Sequence, residues 1–321
     1  MTVLDRNVTL IDKKSRIYIA GGKGMVGSAI GRLLRGRAYT NVLNDRAIEP
    51  ELSDELELDN FFRQYGPEFV FHVGGASGGI RANASYPADL MLDNLLGVCN
   101  VVRACHKYKV KKVFYLASSC VYPKHARQPM VPDELMEGRL EPTSAPYATA
   151  KLAGLVLYRA YQTQYGDNTI SAITANTYGP GDNFHDDDSH VVPGLIKKFD
   201  DAVIKQRKIV EIWGTGGAKR EFIYVDDLAD ACIFLMEKYN DDATVNIGSG
   251  MIITIGELAQ QIGDRVGFEG ELVFDQDKPD GAPIKSLDCK FLTSLGWTPK
   301  FSIDNGISKT LQWYRENIVS I

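Results

Sequence analysis

The amino-acid sequence predicts an α/β protein with a doubly wound parallel sheet and a smaller C-terminal lobe. Short runs of β-branched and aromatic residues alternate with amphipathic, helix-like stretches through the first 176 residues. A glycine-rich turn joins the first of these runs to the first helical stretch. Beyond residue 176 the pattern loosens into glycine, proline, asparagine and aspartate before helices and strands resume. Together these observations favour a Rossmann-type sheet followed by a less regular unit.

The first unit of the predicted sheet is a strand, a tight turn and a helix. Residues 16–20 read Arg-Ile-Tyr-Ile-Ala, a composition that suits a buried strand. Apolar residues from Met25 to Leu34 then recur at helical spacing. Later runs of the same two kinds predict strands at 69–73, 112–117 and 170–175, and helices at 88–108 and 147–165.

The C-terminal lobe is predicted to be interleaved with the sheet. We expect residues 1–176 to form the Rossmann domain, with returns of the chain near 222–250. Residues 177–321 are expected to form most of the lobe. The elements predicted there are a helix at 191–205, a strand near 209–213 and a helix at 226–238.

Composition and charge exclude several classes of protein. The chain has 321 residues, of which 44% are hydrophobic, so it can bury a large core. A net charge of −5 provides no positive field for a nucleic acid or an anionic membrane. The five cysteines lack CxxC spacing, which argues against a disulfide framework or a metal site. With no long apolar run, and with a start at 1–14 that reads as a short extension, we expect a cytoplasmic protein.

A GxxGxxG motif directly follows the first predicted strand. Its glycines are Gly21, Gly24 and Gly27, where absent side chains let backbone amides approach a pyrophosphate. The start of the next helix adds a matching positive end. An ordinary tight turn is the alternative, but the strand before the motif and the helix after it favour a dinucleotide site. Lys23, Met25 and Val26 complete the predicted cofactor-binding loop.

Charges near this loop bear on the choice between NADPH and NADH. Lys23 lies inside the loop and Arg46 lies beyond the second strand, so both can bind a 2′-phosphate. Asp45 could instead accept a hydrogen bond from a free 2′-hydroxyl. Lys23 and Arg46 could also be solvated surface charges. We expect NADPH.

Three side chains have the chemistry of a carbonyl reductase. Tyr147 and Lys151 are four residues apart on a predicted helix and therefore share a face. The ammonium, together with the charge of a nicotinamide, is expected to lower the pKa of the phenol so that Tyr147 can exchange a proton with a carbonyl or alcohol. Ser118 follows the strand at 112–117, at the edge where parallel strands build a ligand crevice, and can hold the same oxygen.

With these residues placed, the chain resembles the extended short-chain dehydrogenase/reductase family and, within it, the GDP-L-fucose synthase branch. The resemblance runs from about residue 16 to near the C-terminus. Many of its motifs are specific to that branch. They include Gly-Met-Val-Gly-Ser at 24–28, Ser-Ser-Cys-Val-Tyr-Pro-Lys at 118–124, Pro-Tyr-Ala-Thr-Ala-Lys at 146–151, Tyr-Gly-Pro-Gly-Asp-Asn-Phe-His at 178–185, Ser-His-Val-Val-Pro at 189–193 and Lys-Pro-Asp-Gly at 278–281.

This resemblance implies an NADPH-dependent 3,5-epimerase and 4-reductase acting on GDP-4-keto-6-deoxy-mannose. Ser118, Tyr147 and Lys151 would carry the reduction, while Cys120 and His190 would act as the acid/base pair of epimerisation. Inverting a carbon beside a ketone requires proton carriers on both faces of the ring, and a thiol and an imidazole titrate near enough to neutrality. Outside this context, Cys120 would be a small buried hydrophobe and His190 a surface or capping residue.

The same resemblance assigns substrate contacts and leaves an alternative open. Lys198 stands where some members have arginine, and a lysine cannot form the same two-pronged contact with phosphate. Ser77 stands where members commonly carry a larger apolar residue, so the sugar pocket could be larger or more polar. The alternative is a C4 reductase of another GDP-4-keto sugar, such as a GDP-4-keto-heptose or the GDP-colitose precursor. The implied substrate-binding residues are Asn176, His190, Lys198, Trp213, Arg220 and Lys285.

Two further expectations concern assembly and activity. The family pairs the helices at 88–108 and 147–165 with their copies in a four-helix bundle, so we expect a homodimer. A non-catalytic NADP-binding regulator is a rival reading, but such proteins usually lose the tyrosine or the lysine that this chain keeps. The apolar positions that exceed the needs of one sheet face are Leu92, Leu95, Leu96, Leu155 and Leu157.

Overall fold

The structure is a computed structural model that describes residues 11–186, 188–278 and 280–319. Its strands are β1 (Ile17–Ala20), β2 (Val42–Leu43), β3 (Phe69–His72), β4 (Lys112–Ser118), β5 (Thr169–Thr174), β6 (Asn176–Tyr178), β7 (Ile209–Trp213), β8 (Lys219–Tyr224), β9 (Val245–Ile247), β10 (Ile252–Thr254), β11 (Glu271–Asp275) and β12 (Ile284–Lys285). Its α-helices are α1 (Met25–Gly36), α2 (Glu55–Tyr65), α3 (Ile80–Ser85), α4 (Pro87–Lys107), α5 (Ala145–Tyr165), α6 (Val191–Ile204), α7 (Val225–Lys238), α8 (Ile255–Val266), α9 (Lys290–Ser294) and α10 (Ile303–Tyr314).

A six-stranded parallel sheet forms the larger part of the molecule, in the order β2-β1-β3-β4-β5-β9. The strand order reverses between β1 and β3, and ligands of open α/β sheets bind at such a reversal, beside the carboxyl ends of the strands. Helices α1 and α7 pack together, as do α4 and α5 and also α2 and α4. The predicted fold class, a doubly wound parallel sheet, is confirmed.

The C-terminal lobe is built around β8. This strand pairs with β10, β12 and β6, while β7 and β11 form a separate parallel pair. The chain leaves the large sheet after β5 and returns to it at β9. Strands β6, β7 and β8, which lie between these two strands in the sequence, belong to the lobe. Among the described helices, none is long and apolar enough to cross a membrane. The predicted N-terminal extension lies mostly outside the described residues.

Candidate active site

The glycine loop turns the chain from β1 into α1. Gly21 has a φ of +94°, a backbone conformation that a side chain disfavours. A Cβ at Gly27 would collide with the carbonyl of Gly21, so the helix can pack this closely on the loop only without one. Gly24 is the N-cap of α1 and makes no side-chain cap bond, so the amides of the first helical turn have no side-chain partner from it and are available to an anion.

A carboxylate that the sequence did not single out lies on this loop. Glu49 accepts hydrogen bonds from the amides of Gly21 at 2.9 Å, Gly22 at 2.7 Å and Lys23 at 3.0 Å. Desolvation raises the pKa of Glu49. Asp45, the acid that the sequence suggested, instead accepts a bond from the amide of Ala47 at 2.9 Å. Arg46 is exposed beside it.

Tyr147 and Lys151 lie one turn apart near the start of α5. The Lys151 ammonium is 5.9 Å from the centre of the Tyr147 ring and donates a hydrogen bond to the carbonyl of Gly74 at 3.0 Å. Because Gly74 follows β3, this bond connects the helix to the carboxyl end of a neighbouring strand. The backbone carbonyl of Lys151 in turn accepts a bond from the hydroxyl of Tyr115 in β4 at 3.1 Å. Lys151 is thus held at both its side chain and its backbone.

Burial governs the ionisation of both residues. Desolvation lowers the pKa of Lys151 to about 8, although the Cys120 thiol opposes this effect. Desolvation also raises the pKa of Tyr147 well above its ordinary value, and Cys120 and Tyr115 add to the rise. This differs from the lowered phenol pKa expected from the sequence, because the charge of a nicotinamide is part of that expectation. Without it the phenol stays protonated, which is the form that a proton donor needs.

Ser118 and Cys120 lie where β4 ends. Ser118 is the last residue of the strand, and Cys120 lies in the following 3₁₀ turn at Ser119–Val121. Burial raises the pKa of the Cys120 thiol, whereas the ammonium of Lys285, a hydrogen bond with Ser118 and the ammonium of Lys151 lower it. The thiol is therefore influenced by one cation of the predicted reductase residues, Lys151, and by one cation of the C-terminal lobe, Lys285.

His190 is the N-cap of α6 and is exposed to solvent. The surrounding protein nevertheless removes part of the ring's hydration, which lowers its pKa and favours the neutral imidazole. Two residues earlier, the carbonyl of Asp188 accepts a bond from the amide of Gly79 at 3.0 Å. Gly79 belongs to the same loop after β3 as Gly74, so one loop contacts both Lys151 and the segment that precedes His190.

Three cations that the sequence analysis assigned to the substrate lie in the C-terminal lobe. Lys285 of β12 pairs in register with Arg220 of β8. The Arg220 guanidinium donates to the carbonyls of Ala282 at 2.6 Å and Asp280 at 3.2 Å. Lys198 of α6 donates to the carbonyl of Glu211 in β7 at 2.8 Å. Desolvation lowers the pKa of all three cations, so an anionic ligand would restore part of their lost stabilisation.

Trp213, the last residue of β7, is 47% exposed. The Arg81 guanidinium lies 5.6 Å from the centroid of the Trp213 ring, and the Lys278 ammonium lies 5.8 Å from the Trp213 ring centroid. Arg81 comes from α3, which follows β3 of the large sheet, and the sequence analysis did not identify it. Asn176 uses its amide nitrogen to bond the carbonyl of Glu221 at 2.9 Å, which joins β6 to β8.

A doubly wound sheet with a glycine loop after β1, and with serine, tyrosine and lysine side chains at the ends of β4 and α5, defines a nicotinamide-dependent oxidoreductase of the short-chain dehydrogenase class. Within that class, the chain belongs to the NAD dependent epimerase/dehydratase family, whose sequence model matches residues 17–248.

Individual relatives are similar over nearly their whole length. GDP-L-fucose synthase 1 of Arabidopsis thaliana is 45% identical over 310 residues, which cover 97% of this chain and 96% of that protein. The structure of a GDP-L-fucose synthetase from Naegleria fowleri bound to NADP superimposes with a TM-score of 0.89 at 26% identity, covering 97% of each chain. A GDP-6-OMe-4-keto-L-xylo-heptose reductase from C. jejuni gives 0.88 at 32% identity, covering 95% of this chain and 99% of that one. The resemblance indicated by the sequence motifs is confirmed.

Proposed function

We propose that the protein converts GDP-4-keto-6-deoxy-D-mannose to GDP-L-fucose by epimerisation at carbons 3 and 5 and NADPH-dependent reduction at carbon 4. The observation that carries this proposal is the position of Cys120. Cys120 lies in the 3₁₀ turn two residues after Ser118, the last residue of β4, and the ammonium groups of Lys285 and Lys151 lower the pKa of its thiol against the effect of burial. A group proposed to move protons at carbons 3 and 5 therefore lies next to the residues proposed to bind the ketone oxygen. The similarity to named GDP-L-fucose synthases supports the same substrate.

The residues present fit a dinucleotide cofactor. Three amides of the glycine loop converge on a carboxylate, which supports an anion-binding role for this loop. NADPH would be held by the loop residues Gly21, Gly24, Met25, Val26 and Gly27, with Lys23 and Arg46 available to its 2′-phosphate and Tyr147 and Lys151 at its nicotinamide end. When bound, it supplies the hydride for carbon 4.

Epimerisation precedes reduction because it needs the ketone. Carbons 3 and 5 both adjoin the carbon 4 carbonyl, so loss of either proton gives an enolate whose charge resides on oxygen 4. The hydroxyls of Ser118 and Tyr147 donate to that oxygen. Cys120 and His190 take a proton from one face and return one to the other, which inverts the carbon with no net oxidation. Neutral His190 is suited to accept a proton.

Reduction then uses the same oxygen. As hydride reaches carbon 4, Tyr147 gives its proton to oxygen 4 and becomes a phenolate. The Lys151 ammonium, fixed by Gly74, stabilises that phenolate. Lys198, Arg220 and Lys285, with Trp213, are the lobe residues proposed to hold the GDP moiety. Their partial desolvation suits a diphosphate.

Solvent deuterium tests the assignment. Incubation with GDP-4-keto-6-deoxy-mannose and NADPH in deuterated water should give GDP-L-fucose carrying deuterium at carbons 3 and 5, as measured by NMR. Cys120→Ser, whose hydroxyl titrates far above neutrality, should lose most deuterium uptake, and His190→Asn should lose it at one or both carbons. The exposed Cys99 offers a matched control, since Cys99→Ser should behave as wild type. A wild-type product without deuterium would leave only a reductase.

A C4 reductase of another GDP-4-keto sugar is the second candidate. Ser77 favours it, because this small residue is exposed on the loop between Gly74 and Gly79, beside the proposed sugar site. The C. jejuni heptose reductase shows that the fold also occurs with that activity. Faster turnover of a GDP-4-keto-heptose than of GDP-4-keto-6-deoxy-mannose would establish this alternative.

We further propose a cytoplasmic homodimer joined through α4 and α5. These helices pack on each other, and each carries exposed apolar side chains. Leu92 and Leu96 lie one turn apart on α4 and are 56% and 39% exposed, while Val156 of α5 is 51% exposed. Leu155, which the sequence analysis counted among the apolar residues available for a dimer interface, is instead buried in the core. The five cysteines are all free thiols, as suits a reducing compartment.

A further inference from the structure

The protein fills the anion site of its own glycine loop. Both carboxylate oxygens of Glu49 are used: Oε1 accepts from the amides of Gly21 and Gly22, and Oε2 accepts from the amide of Lys23. Converging backbone N–H groups of this kind attract anions in general. The occupant here is a side chain of the segment that follows β2.

The cation expected to recognise a 2′-phosphate lies beside the same carboxylate. The Lys23 ammonium donates to the backbone carbonyl of Glu49 at 3.3 Å, and Arg46 is three residues away in the chain. A phosphate that approaches Lys23 therefore also approaches the Glu49 carboxylate. Glu49 is half-buried, so the repulsion between these two anions is less screened than it would be in water.

We propose that Glu49 is a cofactor-selectivity residue that weakens the binding of NADPH relative to NADH. Its carboxylate repels a 2′-phosphate bound by Lys23, whose backbone amide donates to that carboxylate and whose ammonium donates to the Glu49 backbone carbonyl. The preference for NADPH is then the difference between attraction by Lys23 and Arg46 and repulsion by Glu49. This inference rests on the proposed use of a nicotinamide dinucleotide, but not on the identity of the sugar.

Binding to Glu49→Gln tests this role, because glutamine keeps a carbonyl oxygen for the loop amides and removes only the charge. The probes are NADPH and NADH, together with adenosine 2′,5′-bisphosphate and 5′-AMP, which differ by the 2′-phosphate alone. Calorimetry at low salt should show Kd falling about tenfold for NADPH and for the bisphosphate, with NADH and 5′-AMP changed by less than about twofold. Added salt should shrink the difference.

The neighbouring residue Glu51 provides the control. Its carboxylate is exposed and accepts a bond from the hydroxyl of Ser53, so Glu51→Gln should leave all four affinities unchanged. The melting temperature of each variant verifies that it is folded. Weaker NADH and 5′-AMP binding with unchanged NADPH would overturn the proposal, since Glu49 would then be a ligand of the ribose hydroxyl. Four unchanged affinities would also overturn the proposal, since Glu49 would then only stabilise the conformation of the loop. If the wild type bound neither dinucleotide, the proposed function itself would fail.

Discussion

Lys151 has to keep a positive charge in a place from which water is largely excluded. Its ammonium has one carbonyl acceptor, Gly74, and the phenol ring of Tyr147 at 5.9 Å. Desolvation brings its pKa down to about 8, while the pKa of Tyr147 rises well above its ordinary value. The lysine, not the tyrosine, is therefore the group of this pair that titrates near neutral pH.

A pH profile follows from this assignment. We expect kcat/KM for NADPH-dependent reduction to fall as the pH rises through about 8, because neutral Lys151 no longer stabilises the phenolate left on Tyr147. The raised pKa of Tyr147 keeps the phenol itself protonated across this range. Steady-state kinetics between pH 6 and 10 measure this fall, which is the alkaline limb of the pH profile. Lys151→Met should lower the rate by about two orders of magnitude or more and remove the limb. A wild-type rate that stays constant past pH 9.5 contradicts the assignment.

Residues of the site differ in how far the sequence revealed them. Ser118, Tyr147 and Lys151 have fixed spacing relative to a strand end or a helix, so local pattern and motif suffice. Glu49 and Arg81 act through contacts that only the folded chain creates. Glu49 reaches amides 26 to 28 residues earlier in the chain, and Arg81 reaches an indole on another lobe. No local pattern encodes either contact.

Among the elements, long periodic helices and β-branched strands were predictable, and short or mixed ones were not. The sequence pattern does not predict helix α2, because its acidic residues interrupt the apolar periodicity. Asp54 nevertheless caps this helix by accepting hydrogen bonds from the amides of Leu56 and Glu57. Strand β12 has two residues and depends on β8, about 65 residues earlier. Pairing of that kind is tertiary, since two residues carry no periodicity of their own.

One contact between elements has a measurable effect on stability. Lys112 is fully buried at the start of β4, and its ammonium donates to the carbonyls of Met236 at 2.7 Å and Tyr239 at 2.6 Å, at the end of α7. Lys112→Met leaves both carbonyls without this donor, so we expect the free energy of unfolding to fall by about 2 kcal/mol. Urea denaturation followed by circular dichroism measures the change.

The adjacent residue Lys111 is the matched control for that experiment. It is exposed and pairs with Glu68 at 2.7 Å on the surface. Lys111→Met should therefore cost less than about 1 kcal/mol. Equal losses for the two variants would mean that Lys112 does not stabilise the end of α7. A lysine at a strand start gives no sign in the sequence that it caps a distant helix.

At the scale of the whole molecule, the exposed face of α4 and α5 decides the oligomeric state. Changing both Leu92 and Leu96 to glutamate places charges on the proposed dimer interface and should give a monomer at micromolar concentration, as measured by light scattering. Ile209 of β7 lies in the C-terminal lobe and is 55% exposed, so Ile209→Glu should remain dimeric. Wild-type protein of monomeric mass would exclude the dimer.

The path of the chain through β5 and β9 bears on how the molecule is made. The sixth strand of the large sheet begins at Val245, although its neighbour β5 ends at Thr174. A nascent chain that has just completed β5 therefore carries an unpaired sheet edge until some seventy more residues have been synthesised. Such long-range pairing slows folding and leaves an edge open to association with other chains. Lys285 of β12 is synthesised some forty residues after β9, so the substrate-binding part of the lobe is completed only after the last strand of the large sheet.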